Sequence, residues 1–547
     1  MKDTKVDYKD GKFIIVPPRW DFTVARGFPN RRWVARLGCW LAPAIRVNIE
    51  YIKANLGVLS LTDVAMAKVS SYERPAYAVE KFPLGYKFKV EPRAVQRAAL
   101  DFLWGKSSAA LFMDMRTGKT KTVVDWLSAL HLYKGLGRAL VICPLSVRGT
   151  WWSEFSANCP VGYSVHLLDT KKVMAYEKWL DSSDGFKVLV VGVESLAAGR
   201  AADLAASFVP QAVVVDESSK IKNHSARRTK QAIRLGSVAS WRAILTGTPI
   251  ANSIVDLFAQ FEFLDTNIIG VGDFYSFRAR YVVLGGFNNK QVVGYTNVQE
   301  LMELVKPYTF QARKADVFGD LPPKTYIKRV VEMTKEQRRV YDSLKKGDGC
   351  LLQVRTVLEK MLRLQQVAGG FLSMETETGE RVVSPIGSSN AKVDELLSVL
   401  SEVDGQVVIW AAFKAEIDLI CSTLAKVYGS SSVVRVDGSV GELERRSAMD
   451  AFQSGRVRFY VGTVSTSGMG VSLSAADVEI YYSNTFSFID REQSEERAFN
   501  AGKPLGTLIV DIVAAGSVDQ YVLAALMEKK DVSEYVREHF VSIVKDV

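Results

Sequence analysis

The sequence is poor in the residues that build metal centres and disulfide frameworks. Its 547 residues include only five cysteines and four histidines, all far apart, and no Cys-x-x-Cys pair occurs. We therefore expect neither a zinc site nor a disulfide scaffold. Long apolar runs are lacking as well. No segment reaches the roughly 18 uninterrupted apolar residues of a membrane span, so no membrane partner is expected.

Length and charge favour a multidomain protein with a polyanionic partner. At about 100 to 200 residues per domain, the chain has room for three or four domains that each bury a core. Lys and Arg together number 70 against 60 Asp and Glu, which gives a net charge of +10. A positive surface suits nucleic-acid phosphates, and an ordinary basic surface fits the same totals equally well.

Short apolar runs rich in β-branched residues recur along the chain, with helical patterns between them. Buried runs that alternate with helices are typical of parallel sheets covered on both faces. One series of runs lies in the first half of the chain and another follows residue 400, so two such sheets are predicted. The predicted strands are 109–113, 139–143, 188–193, 212–215, 242–245, 407–410, 433–436, 459–461, 478–482 and 508–513.

This rhythm predicts three domains in an α/β protein. A small α+β module, dense in Trp, Arg and Pro, is expected over residues 1–80. The first parallel-sheet lobe is expected over 86–325 and the second, with a C-terminal brace helix, over 326–547. Residues from about 253 to 320 lose the strand rhythm and are predicted to form a helical insertion. Pro322 and Pro323, which break helical geometry, mark the boundary between the lobes.

A candidate phosphate-binding loop follows the predicted strand that ends at Met113. In such a loop the turn amides and the helix N-terminus point at phosphate, the lysine neutralises the outer phosphates, and the Thr hydroxyl can bind magnesium. Met113 stands where the full motif has its first glycine, so an ordinary surface turn remains an alternative for this motif alone. The residues predicted to bind nucleotide are Arg116, Thr117, Gly118, Lys119 and Thr120, with Thr120 also a magnesium ligand.

A second strand delivers two adjacent acids at its carboxyl end, where ligands bind in open parallel sheets. The run Val-Val-Val is followed directly by Asp216 and Glu217. Asp216 would hold magnesium through water, and Glu217 would orient and deprotonate the attacking water. An acid pair that only caps the next helix is the alternative. The combination with Lys119 favours the catalytic interpretation.

Residues from about 86 to 535 resemble the superfamily-two helicases and, within them, the Swi/Snf-type DNA translocases. Two segments are the most specific. Asp216-Glu-Ser-Ser-Lys-Ile-Lys-Asn223 is similar to the family's DEAH-x-IKN motif, and Leu245-Thr-Gly-Thr-Pro249-Ile-Ala-Asn252 is similar to LTGTPIQN. The resemblance implies two RecA-like lobes that hydrolyse ATP with magnesium in the cleft between them. It also implies DNA as a partner, as duplex, fork or junction.

Further residues take their roles from this resemblance. Gln96, in Val-Glu-Pro-Arg-Ala-Val-Gln, matches the glutamine that reads adenine, and Gly470 and Gln493 are expected to bind nucleotide. Lys119, Asp216, Glu217 and Arg497 are expected to be catalytic. The residues expected to contact DNA are Pro144, Ser146, Glu194, Ser195, Thr248, Thr463 and Ser467.

The last family motif departs from its pattern. Arg497 matches the first arginine of Q-x-x-x-R-x-x-R-x-G-Q, but Asn500 replaces the second and Lys503 replaces the closing glutamine. An arginine at the transferred phosphate contributes about 10³ to 10⁵ in rate. Either Asn500 leaves a slow ATPase, or Arg497 alone suffices.

The N-terminal module interleaves aromatic and basic residues, as in Arg31-Arg-Trp33 and Trp40. This pattern suits stacking on bases, and a tryptophan-rich core explains it equally well. The arrangement resembles the HARP-type module of annealing helicases, which implies recognition of branched DNA or of single-to-double-strand junctions.

The leading hypothesis is an ATP-dependent DNA translocase that moves on duplex or branched DNA and serves in remodelling, annealing, repair, replication or recombination. Two alternatives stay open: a strand-separating helicase on RNA or DNA, and a nucleotide-gated DNA clamp with little turnover. We expect a bacterial or viral protein that acts in the cytoplasm, or in the nucleus if its source is a eukaryote.

Overall fold

The chain divides into two units, Met1–Val317 and Phe318–Val547, in the computed structural model. The structure describes residues 4–18, 24–25, 28, 31–56, 60–70, 80–182, 185–250, 253–285, 291–318, 324–346, 357–375, 381–464, 473–498 and 506–528. Within these ranges, no helix has the length and apolar character needed to cross a bilayer.

The first unit begins with a four-stranded antiparallel sheet of order β1-β2-β4-β3, covered by two helices. Its elements are β1 (Lys5–Lys9), β2 (Lys12–Val16), β3 (Arg32–Val34), β4 (Cys39–Pro43), α1 (Arg46–Asn55) and α2 (Asp63–Ser70). Aliphatic and phenylalanine side chains fill its core, while Trp33 lies outside it and Trp40 packs at its margin. This is the α+β module that the sequence predicts.

A buried arginine of this module bonds to the rest of the first unit. Arg46 is 5% exposed, and its Nη2 donates to the carbonyl of Ile269 at 2.9 Å. Its guanidinium also lies 3.3 Å from Glu50 and 3.9 Å from Glu300. A buried cation needs such partners, so the module and the segment around residue 269 are held together.

A seven-stranded, fully parallel sheet of order β13-β5-β10-β9-β6-β8-β7 forms the body of the first unit. All five strands predicted here are present, and their side chains are mostly buried because helices cover both faces. The elements that precede the insertion are α3 (Ala94–Trp104), β5 (Ser108–Met113), α4 (Lys119–Lys134), β6 (Arg138–Cys143), α5 (Arg148–Asn158), β7 (Tyr163–Leu167), α6 (Val173–Leu180), β8 (Phe186–Gly192), α7 (Gly199–Ser207), β9 (Ala212–Asp216), α8 (Arg227–Ser237) and β10 (Trp241–Thr246).

The prediction of a helical insertion over about 253–320 is incomplete. The segment contains an antiparallel hairpin, β11–β12, and also β13, which pairs in parallel with β5 as an edge strand of the main sheet. The bounds are α9 (Asp256–Leu264), α10 (Thr266–Ile269), α11 (Phe274–Tyr281), β11 (Val282–Gly285), β12 (Gln291–Tyr295), α12 (Val298–Val305), β13 (Thr309–Ala312) and α13 (Lys314–Phe318).

The second unit is built on a six-stranded parallel sheet of order β14-β21-β20-β17-β19-β18. The five strands predicted after residue 400 all belong to it, so the α/β fold with two parallel-sheet lobes is confirmed. The elements are β14 (Lys324–Val331), α14 (Lys335–Lys346), α15 (Val357–Ala368), β15 (Phe371–Glu375), β16 (Arg381–Pro385), α16 (Ala391–Glu402), β17 (Val407–Trp410), α17 (Lys414–Tyr428), β18 (Val433–Val436), α18 (Glu442–Gln453), β19 (Phe459–Gly462), β20 (Val478–Tyr481), α19 (Phe488–Ala498), β21 (Thr507–Ala514) and α20 (Val518–Met527).

A buried glutamate makes the stability of the second unit depend on pH. Glu416 is 0% exposed, and burial raises its pKa from 4.5 to about 7, although Lys392 and a hydrogen bond from Ser483 oppose the shift. Between pH 4.5 and 7 the folded state keeps a proton that the unfolded chain loses, so stability falls as pH rises through this window. Glu416→Gln is expected to remove that loss and to be about 2 to 3 kcal/mol more stable above pH 7.

Urea titrations at pH 5 and pH 8 test this expectation, with the exposed Glu332→Gln as the matched control. The control should follow the unaltered protein at both pH values. An equal pH dependence in Glu416→Gln and the unaltered protein would show that Glu416 does not hold the proton.

Candidate nucleotide site

The phosphate loop has left-handed backbone geometry at two positions. Arg116 has a φ of 66° and Gly118 a φ of 91°. A β-carbon added at Gly118 would lie 1.9 Å from Nε2 of Gln96, so only glycine fits there. Thr117 Oγ1 closes the turn by donating to the carbonyl of Asp114 at 2.7 Å. The turn leads directly into the N-terminus of α4, an arrangement that favours phosphate.

The ammonium group of Lys119 is held at the base of this loop. Its Nζ donates to the carbonyls of Met113 at 2.6 Å and Asp114 at 3.2 Å. Burial lowers the pKa of Lys119, while the nearby carboxylates of Glu217 and Asp216 oppose that shift. Met113, at the first glycine position of the motif, is a fully buried strand residue. The structure therefore brings the lysine and both predicted acids together around one point.

The two acids lie where β9 ends. Asp216 accepts two hydrogen bonds, from the backbone amide of Glu217 at 3.0 Å and from Nε1 of Trp151 at 2.9 Å. Glu217 has a φ of 49°, a strained conformation for a residue other than glycine, which is typical of functional sites. The sequence motif contains Trp151 but did not reveal that it orients Asp216. Only the packing of α5 against the sheet places its indole there.

The turn after β10 lies beside the phosphate loop, because β10 runs between β5 and β9. A β-carbon added at Gly247 would lie 3.5 Å from the carbonyl of Met113. Thr248 donates its backbone amide to Thr246 Oγ1 at 3.1 Å. Its own Oγ1 is buried and has no hydrogen-bond partner among the described residues. Thr248 was predicted to contact DNA, and the structure places it at the phosphate-loop side of the sheet edge.

Gln260 is a buried polar residue of this edge that the sequence did not reveal. It belongs to α9, in the otherwise apolar run Leu-Phe-Ala-Gln-Phe, and is 0% exposed. Its Oε1 accepts from Ser218 Oγ at 2.6 Å, and its Nε2 donates to the carbonyls of Pro249 at 2.9 Å and Asp256 at 2.8 Å. A single glutamine within a short apolar run was the only available signal.

Gln96 is placed against the phosphate loop. Its Oε1 accepts from the amide of Arg93 at 2.8 Å, and its Nε2 donates to the carbonyl of Gly118 at 3.3 Å. A side-chain amide can donate two hydrogen bonds and accept two. One donor and one acceptor position therefore remain beyond these two bonds, which is the pair that an adenine edge would use.

Two loops predicted to contact DNA follow β6 and β8, which are neighbours in the sheet. Pro144 and Ser146 lie after β6, and Glu194 and Ser195 after β8. Glu194 Oε2 accepts from the amide of Leu145 at 3.1 Å, which joins the loops. Ser146 Oγ is buried and has no hydrogen-bond partner in the described part of the chain. The four residues thus form one continuous patch at the carboxyl edge of the sheet.

The remaining predicted residues belong to the second unit. Thr463 directly follows β19, and Gln493 and Arg497 lie on α19, where Gln493 is 8% and Arg497 2% exposed. The carbonyl of Arg497 accepts from the amide of Leu473 at 2.9 Å. Ser467, Gly470 and Asn500 lie outside the described residues.

A P-loop lysine, a strand-end acid pair and parallel sheets define the class of two-lobed P-loop proteins. Within that class, the family model of the SNF2-related domain matches residues 95–378, and the helicase conserved C-terminal domain matches residues 389–502. The first match alone covers more than half of the chain. The chain therefore belongs to the family with an SNF2-related domain, which confirms the resemblance found in its motifs.

Named relatives are distant in sequence. The ISWI chromatin-remodeling complex ATPase CHR11 of Arabidopsis thaliana is 26% identical over 431 residues, covering 76% of this chain and 40% of the relative. A SWI/SNF-related matrix-associated actin-dependent regulator of chromatin subfamily A-like protein 1 homolog of Caenorhabditis elegans is 24% identical over 504 residues, covering 90% of this chain and 67% of the relative. The chain spans about two fifths of the length of the first relative.

Two solved structures of the Sulfolobus solfataricus SWI2/SNF2 ATPase core are also similar. The structure in complex with dsDNA is 20% identical and covers 82% of this chain and 93% of its own, with a TM-score of 0.39. The core domain alone is 20% identical and covers 85% and 96%, with a TM-score of 0.38.

Proposed function

We propose that this protein is an ATP-dependent DNA translocase, which hydrolyses ATP to ADP and phosphate while it moves on duplex or branched DNA. The observation that carries the proposal is the convergence of Lys119, Asp216 and Glu217 at one sheet edge, beside the turn after β10. Charge pairs of this kind serve phosphoryl transfer, because the lysine neutralises the outer phosphates and an acid activates water.

The residues divide the chemistry of hydrolysis among them. The amides of the loop from Arg116 to Gly118 would bind the phosphates, with the ammonium of Lys119 neutralising the outer ones. Glu217 would orient the attacking water and accept its proton. From the motif resemblance, we also assign Gln493 and Arg497 to nucleotide binding and hydrolysis, with Arg497 stabilising negative charge in the transition state.

The donor set at the end of β9 fits a magnesium ion. Burial raises the pKa of Asp216, because its charged form is poorly solvated there, and a divalent cation would favour that charged form. The carboxylate keeps acceptor capacity beyond its bonds to Glu217 and Trp151. Thr120 and Asp216 would hold the ion. Bound magnesium would neutralise charge that develops on the phosphate oxygens.

DNA as the partner is supported by the charge beside the joined loops after β6 and β8. Helix α8 packs against the turn Ser195–Ala197 and exposes Arg227, Lys230 and Arg234. Its first turn contains no acid, and its N-cap residue supplies no side-chain hydrogen bond. Arginine at a helix N-terminus opposes the helix dipole by about 0.3 to 1 kcal/mol. A polyanion bound there would offset this cost.

Phosphate release by the purified protein tests the proposal, measured without DNA and with single strand, duplex and a model fork. Duplex or fork DNA is expected to stimulate hydrolysis, because the proposed motor couples hydrolysis to movement on them. Glu217→Gln should lower the rate by about 10³-fold while ATP still binds. The exposed Glu177→Gln is the matched control and should hydrolyse ATP normally.

Each alternative function gives a different result in the same assays. ATP binding without hydrolysis on any DNA would rule out the translocase and favour the nucleotide-gated clamp. Displacement of a paired strand would instead favour the strand-separating helicase.

We also propose that the N-terminal module recognises unpaired bases at forks or junctions. Trp33 lies on the edge strand β3 and is 42% exposed, and its ring is 5.3 Å from that of Trp40. Arg31 lies over Trp40 at 5.4 Å, and Arg32 is exposed next to Trp33. An exposed indole flanked by arginines suits base stacking and phosphate contact.

Trp33→Ala is therefore expected to weaken binding to a fork with single-stranded arms by about tenfold, the typical loss for one base–aromatic stack. Fluorescence anisotropy with labelled fork and blunt duplex measures the change, and blunt duplex should bind as before. Leu37→Ala is the control, because Leu37 is 65% exposed in the same module and cannot stack on a base. An equal loss in both variants would argue against stacking.

A further inference from the structure

We propose that Gln260 is a positioning residue that couples the acid pair after β9 to the turn after β10. This inference rests on the proposed ATPase function and adds a residue that the motifs do not assign. Ser218 directly follows Glu217, and Pro249 belongs to the turn at residues 246–249. Gln260 is hydrogen-bonded to both, at 2.6 Å and 2.9 Å.

The geometry makes the link specific. The amide of Gln260 is hydrogen-bonded to Ser218, Pro249 and Asp256. Gln260 and Ser218 are both 0% exposed. The amide oxygen of Gln260 accepts a hydrogen bond from Ser218, next to the acid pair, and the amide nitrogen donates one to Pro249 in the turn. Only a side chain with both a donor and an acceptor can join these two groups. A third bond, to the carbonyl of Asp256 at 2.8 Å, fixes the amide to its own helix. A rigid amide transmits a displacement of one side to the other.

The turn also carries a polar group that the described structure leaves unpaired. Thr248 Oγ1 is buried and has no hydrogen-bond partner among the described residues. A buried hydroxyl without a partner costs free energy, so a shift of the turn that gave Thr248 Oγ1 a partner would be favoured. We infer that hydrolysis at Glu217 shifts Ser218, and that Gln260 carries this shift to the carbonyl of Pro249 and so to Thr248.

Steady-state ATP hydrolysis with and without duplex DNA tests the role of Gln260. For Gln260→Leu, the DNA-stimulated kcat is expected to fall about tenfold, with the KM for ATP within twofold of the unaltered protein. The ratio of stimulated to unstimulated rate should fall as well, because the leucine cannot join the two sides. Gln337→Leu is the matched control: it removes a buried glutamine, 1% exposed, from the second unit. It should lower the melting temperature but keep the ratio.

A double variant separates positioning from packing. Ser218→Ala/Gln260→Leu places two apolar groups against each other, so it should recover melting temperature relative to the single variants. It cannot bond to Pro249, so the stimulation ratio should stay low. Recovery of the ratio together with stability would overturn the positioning role, as would an unchanged ratio in Gln260→Leu. If the unaltered protein does not respond to DNA at all, the proposed function fails and this inference fails with it.

Discussion

Replacing Lys119 with methionine is expected to lower ATP hydrolysis by about 10³-fold without destabilising the fold. The rate falls because the variant lacks the cation that would neutralise the outer phosphates of ATP. We expect the fold to lose little, because burial already lowers the pKa of Lys119 and, among the described residues, its ammonium donates hydrogen bonds to carbonyls of its own loop. Methionine keeps the volume of the buried stem. Phosphate release with duplex DNA and a thermal melt measure the two effects on the same sample.

Lys121 provides the matched control for this experiment. It lies two residues further along α4, and its Nζ is 2.7 Å from Asp125, whose side chain is 1% exposed. Lys121→Met leaves the buried carboxylate of Asp125 without its cation but with the hydrogen bond from Tyr86. We therefore expect a loss of about 1 to 3 kcal/mol in stability and a smaller change in the hydrolysis rate. Lys119→Met that kept more than a tenth of the rate would refute the assigned role of Lys119.

The central strands of both sheets could be predicted from the sequence because a strand that is buried on both faces is an unbroken run of apolar residues. Every residue of β5 and β8 is buried, and both were predicted. Three edge strands were missed for the same physical reason. β14 reads Lys-Thr-Tyr-Ile-Lys-Arg-Val-Val and has five of its eight residues exposed, while β7 and β13 are short and only partly buried. An edge strand is solvated on one side, so its pattern resembles a loop.

Some residues of the candidate site could likewise be predicted from the sequence, and others could not. Lys119 follows β5 through the phosphate loop, and Asp216 and Glu217 lie at the end of β9. Strands in a parallel sheet end at one edge, so the proximity of these residues could be predicted. Trp151 and Gln260 come from helices, and their contacts depend on how α5 and α9 pack. A hydrogen bond between residues that are far apart in the sequence produces no motif of fixed spacing. The positions of Gln96 and the turn after β10 against the phosphate loop likewise needed the structure.

Replacing Arg491 with methionine is expected to cost the second unit about 3 to 5 kcal/mol of stability, because it leaves the buried Asp511 without its cation. It also removes one of the two cations that bond to Glu495, the other being Lys324. Arg491 bonds to Asp511 through two nitrogens, at 2.6 Å and 3.0 Å, and to Glu495 at 2.8 Å. Asp511 is 1% exposed, and Asn484 completes the network by donating to it at 2.8 Å. The guanidinium carbon of Arg491 lies 3.4 Å from the centroid of the Tyr481 ring.

Hydrogen exchange of peptides from β21 in the full-length chain measures the loss, because it reports the opening free energy of this unit alone. Arg491→Lys keeps the charge but not the planar fork, so it should lose part of the stability. The exposed Arg446→Met, from the same unit, should change it by less than about 0.5 kcal/mol. Since Arg491 lies on α19 with Gln493 and Arg497, its loss should also slow hydrolysis. A change in stability below about 1 kcal/mol would mean that the acids find other partners, and that the network does not fix the helix that carries the last motif.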